Sequence, residues 1–111
     1  MITRAWLYLI TAGLLEIAWA LGLKYSDGFT KPLASGLTLI SLIGSMWLLS
    51  LSVRDIPLGT AYAVWVGIGA TGTALLGAAL FSEAISPWRV LFLVLLVTSI
   101  IGLKITAVEP H

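Results

Sequence analysis

Cysteine is absent from this chain, histidine occurs once, and charge of either sign is scarce. Without cysteine there is no disulfide framework, no thiolate nucleophile and no thiolate metal site. The one histidine, His111, stands at the terminal position and reads as tail rather than ligand. No metal or cofactor is expected. Asp, Glu, Lys and Arg make up only 10% of the 111 residues, against about a quarter in a soluble domain, while 59% are hydrophobic. Mean hydropathy is +1.08, so the chain reads as a membrane protein. A net charge of +1 supplies no basic surface for a phosphate backbone, so nucleic acid is not expected as a partner.

What the chain does have is long apolar runs. Four stand out, at 5–23, 33–53, 58–81 and 88–105. About 20 helical residues cross a hydrocarbon core of roughly 30 Å, so each run predicts a transmembrane helix, and residues 1–111 read as one four-helix domain. The breaks carry turn signals: Asp27-Gly28 in the first, Arg54-Asp55-Ile56-Pro57 in the second, Pro87 at the end of the third. Ala18-Trp19-Ala20 has the form of a signal-peptidase site, but an h-region containing Glu16 is a poor signal, so no cleavage is expected there.

Threading four helices puts Arg4, Arg54 and Lys104 on one membrane face and Lys24, Lys31 and Arg89 on the other. Orientation normally follows an excess of Lys and Arg on the cytoplasmic side, and this chain has no excess. The expectation is insertion both ways, giving an antiparallel, dual-topology homodimer. Transporters are commonly built from two inverted halves around a midplane site, and two opposed copies would supply them. The alternative is one orientation, fixed by local loop context or a partner subunit.

Glu16 lies well inside the first run, and a carboxylate there costs a few kcal/mol on insertion scales. No Lys or Arg lies at comparable depth to pair with it, so a functional role is expected. Gly13, Glu16, Trp19 and Ala20 follow one another at three- and four-residue spacing and share a helix face. In the third run Tyr62 and Trp65 are three apart, and Ser45 in the second lies at a depth comparable with Trp65. These residues could form one layer, with Ser41 a turn away. A carboxylate walled by aromatic faces and flanked by hydroxyls attracts a cation and repels an anion. Gly67 and Gly69 allow a bend in the third helix, and Gly69, Thr73 and Gly77 form a row suited to close helix contact. Trp6 and Trp88, near span ends, are expected in the interfacial belt, and Lys104 is expected to snorkel toward headgroups.

The stretches "GLLEIAW", "LKYSDGFT", "PLGTAYAVWVGIG" and "IIGLK" resemble the small multidrug resistance family of bacterial exporters over nearly the whole chain. Glu16 matches the family's membrane-embedded carboxylate, and Tyr62 and Trp65 match its binding-site aromatics. Trp19, together with Ser45 and Lys104, resembles the guanidinium-exporter subtype, since the polyaromatic-cation subtype usually has a small residue at that position. The resemblance implies a homodimer in the bacterial inner membrane that exchanges protons for guanidinium. Glu16 would bind both, Ser45 would orient it, Trp19 and Trp65 would wall the pocket, and Tyr62 would link occupancy to the third helix. Two carboxylates sharing one cavity would couple their titrations, so protons would compete with the cation. Three other readings are a general exporter of quaternary ammonium and aromatic cations, a rotor-type proteolipid, and a non-transporting membrane subunit.

Overall fold

The computed structural model describes residues 2–106, so His111 lies outside the described residues. Those residues form four helices, α1 (Ile2–Tyr25), α2 (Pro32–Ser52), α3 (Leu58–Phe81) and α4 (Pro87–Ile105), with no strand among them. All four are long and apolar enough to cross a membrane. Proline sets two of the starts: Pro32 and Pro87 each occupy the first helical position, where a missing N–H costs nothing. Ser86 completes the second of these, its Oγ accepting the Arg89 N–H at 3.2 Å.

Between α1 and α2 the chain turns at Gly28, whose φ of +70° suits a residue without Cβ. Ser26 fixes that turn from inside, its hydroxyl donating to the Leu23 carbonyl at 2.8 Å and accepting the Phe29 N–H at 3.2 Å. At the far end of α1, Lys24 pairs with Glu83 in the connection after α3.

Packing is uneven. α1 lies against both α2 and α3, whereas the α4 backbone approaches α3 alone and no α4 residue is buried. The apolar core gathers Ala5, Trp6, Leu9 and Ala12 of α1, Leu49 of α2, Ile56, and Ala61, Val64 and Trp65 of α3. It therefore sits toward the face carrying Arg4 and Arg54. The principal extents are 45 × 35 × 17 Å. A helix with its side chains is about 10–12 Å across, so a 17 Å thickness describes a slab of helices, open along its broad sides.

Candidate functional site

Glu16 is carried on the stretch of α1 that meets the glycine-rich middle of α3. Gly69 faces it directly: a Cβ built on Gly69 would overlap the Oε1, Cδ and Cγ atoms of Glu16. The lack of a side chain at Gly69 is what admits the carboxylate between the two helices. Glu16 Oε1 is buried there with no hydrogen-bond partner among the described residues, and Trp19 Nε1 one turn away is in the same condition. An acceptor and a donor thus lie unpaired along one side of α1, in surroundings where an unpaired polar atom costs about 1–3 kcal/mol.

Ser45 is the junction of three helices. Fully buried on α2, it donates to the Ala12 carbonyl at 2.7 Å and accepts the Trp65 indole N–H at 2.9 Å. By the i to i−4 rule, the Ala12 carbonyl also receives the backbone N–H of Glu16. The role expected for Ser45, orienting the Glu16 carboxylate, is therefore not the one this geometry gives. Its hydroxyl reaches the nearer main-chain carbonyl, grips the turn beneath Glu16 and fixes the plane of Trp65. Tyr62 leans on that indole with ring centroids 5.7 Å apart at 52°, and is itself half exposed.

The shared depth of Ser45 and Trp65 thus takes the form of a hydrogen bond. The remaining positions divide. Gly13 packs on Ile68, where a Cβ would come within 2.8 Å of that side chain, and so serves the α1–α3 contact. Gly67 meets Ile100 and Leu96 and seats α4. Both Gly67 and Gly69 lie inside α3, which runs as one helix. Ser41 lines a groove of about 720 Å³ between α1 and α2, apart from the Ser45 junction.

Two aromatic expectations separate as well. Trp88 is exposed, as an interfacial residue should be, but Trp6 is only 7% exposed and belongs to the core. Lys104 does not extend freely away from the protein: its Nζ stands 4.9 Å from the centre of the Trp6 ring, where the ring's quadrupole attracts it. The Ala12 carbonyl was the participant that sequence could not single out, because every residue carries one.

Removing the Ser45 hydroxyl leaves the Trp65 indole N–H buried without an acceptor, at a cost of about 1–3 kcal/mol. Ser45→Ala should therefore fold but lose the fixed Trp65 orientation. The check is the indole proton resonance of Trp65 by NMR, which should move and broaden, while Ser50→Ala on the exposed side of α2 leaves it in place.

Residues 4–96 match the family model described as "Small Multidrug Resistance protein". The chain belongs to the small multidrug resistance family. Curated relatives align end to end with this family member. A "Guanidinium exporter" of Yersinia pseudotuberculosis is 50% identical over 103 residues, covering 93% of this chain and 99% of the relative. One of Citrobacter freundii is 51% identical over 102 residues, covering 92% and 97%. A third, of Salmonella typhimurium, is 50% identical over 103 residues, covering 93% and 98%. Family and spans together make the chain a multi-pass inner-membrane transport protein, not an enzyme.

Proposed function

We propose that this small multidrug resistance protein exports guanidinium, or a guanidinium with one slim substituent, in exchange for protons. The observation that carries the reading is the Glu16 carboxylate, buried and unpaired against Gly69, with the unpaired Trp19 indole one turn away. Guanidinium is planar and presents parallel N–H donors, the geometry that makes carboxylate pairs two-pronged and strong. A proton bound to the same carboxylate removes its charge, so proton and cation exclude each other, and each biases the same two-state equilibrium. The names of the curated relatives point the same way.

The working unit is an antiparallel homodimer with Glu16, Trp19, Ser45, Tyr62 and Trp65 of each copy around a shared cavity, and Gly67 and Gly69 letting α3 bend. Two features favour it: the balanced Lys and Arg count across the two faces, and an α4 that buries no residue in its own subunit. In cells, single-cysteine probes at the C-terminus should be labelled from both membrane faces. Labelling from one face only would replace the homodimer with a one-sided arrangement and an unlike partner.

The function is tested in proteoliposomes under a proton gradient. Guanidinium should move uphill, and tetraphenylphosphonium should move little, because it has no N–H donor for Glu16 and must displace the Trp19 indole. Trp19→Gly should shift the balance toward the bulky cation. Equal transport of both by the wild type would favour a general exporter of aromatic cations. Absence of uphill transport would favour a rotor-type or non-transporting subunit.

A further inference from the structure

The end of α1 repeats the chemistry of the Glu16 site at the membrane face. Lys24 Nζ lies 3.6 Å from Glu83 Oε2 and 5.2 Å from the centre of the Phe81 ring. The Tyr25 ring packs on Phe81 at 5.0 Å and 53°, completing an aromatic wall. A carboxylate and a π face converge on one cation, here the chain's own ammonium. We propose that Glu83, Phe81 and Tyr25 form a second, peripheral site for a small organic cation, which the Lys24 ammonium occupies as a tethered competitor.

Glu83 stands in the connection just after α3, but its carboxylate folds back onto the last turns of that helix. Gly77 is buried, and a Cβ there would lie 2.6 Å from Glu83 Oε1, so the carboxylate nests against the helix at a position kept open for it. Gly69 does the same for Glu16. The two glycines sit on one row of α3, about 12 Å apart at a 1.5 Å rise per residue. A cation leaving Glu16 toward this face therefore meets another carboxylate with an aromatic wall along the same helix. The Lys24 and Glu83 side chains are 57% and 40% exposed, so the station is open to water, and an ion pair that exposed is weak enough to yield. An arriving guanidinium can present two parallel donors where an ammonium presents a point charge.

The nature of the cation rests on the proposed function, but the site is tested without transport. Glu16→Gln protein in lipid nanodiscs, with its central carboxylate removed, is titrated with guanidinium chloride against sodium chloride at equal ionic strength. The ring resonances of Tyr25 report occupancy, and the Trp65 indole proton confirms the fold of every variant. A saturable shift specific to guanidinium is expected. Adding Lys24→Gln should tighten it about two- to fivefold, the span of an exposed ion pair released. Glu83→Gln should abolish it. Gly77→Ala, which pushes the carboxylate away with its charge intact, should weaken it. A response that does not saturate with or without Lys24, or one that survives Glu83→Gln, overturns the site. Failure of the transport reading shows differently, as wild-type vesicles without proton-driven guanidinium flux while the Tyr25 shift persists.

Discussion

Glu16→Gln is expected to reduce proton-driven guanidinium flux to the level of protein-free vesicles. The amide matches the carboxylate in size, so the α1–α3 contact at Gly69 survives and the protein still reaches the membrane. On the proposed mechanism, what disappears is the ability to hold a proton in one half of the cycle and a positive charge in the other. Among the described residues, no other Asp or Glu lies in the interior of a helix, so no neighbour can take over. Glu16→Asp keeps the chemistry but withdraws it by one methylene, and weak residual flux is expected. Flux comparable with wild type in the glutamine variant, measured under the same gradient, would remove Glu16 from the centre of the mechanism.

The second large effect is expected from a single methyl group. Gly69→Ala places a Cβ where Glu16 Oε1, Cδ and Cγ now lie, so the carboxylate must leave its seat or the helices must part. Alanine is the better helix former by roughly 1 kcal/mol, which argues that α3 itself persists. The loss therefore falls on the site. Hydrogen bonds to a charged group are worth about 1.5–3 kcal/mol, so misplacing the carboxylate should weaken guanidinium binding by roughly ten- to a hundredfold. Gly36→Ala is the control, since nothing lies within 4 Å of its added Cβ. Binding titrations on both variants decide it: equal affinity for the two would mean that Gly69 serves packing alone.

The number, type and order of the helices were legible because hydropathy and proline marked the same three breaks, with glycine added at the first. Their ends were less so. The apolar run at 5–23 became a helix over Ile2–Tyr25, because hydropathy marks where lipid begins while backbone hydrogen bonding continues through Thr3, Arg4, Lys24 and Tyr25. α3 coincided with its run, bounded by Pro57 and by Ser82 in the left-handed region. In the candidate site, Glu16 stood out because a lone carboxylate is costly to place in lipid and no basic residue at its depth offsets that cost. Trp65 and Ser45 met because depth can be counted along a helix. Partners across helices could not be counted. Helical periodicity gives a residue's face but not the neighbour's rotation, so Gly69 beneath Glu16, Ile68 against Gly13 and Trp6 beneath Lys104 emerged only from the packing.

The Ser45 hydroxyl also has a valence, and its occupancy has a sign. A hydroxyl owns one proton and two lone pairs. The proton is committed to the Ala12 carbonyl and one lone pair to the Trp65 N–H, leaving a single lone pair. Toward anything that approaches it, this serine can only accept. Ser45 is fully buried, so that lone pair is turned to the protein interior, where a neighbouring N–H suits it and a carbonyl or carboxylate would meet oxygen with oxygen. The hydrogen bond that fixes Trp65 thus completes a closed interior junction, in which the serine's only proton is already spent on the main chain of α1.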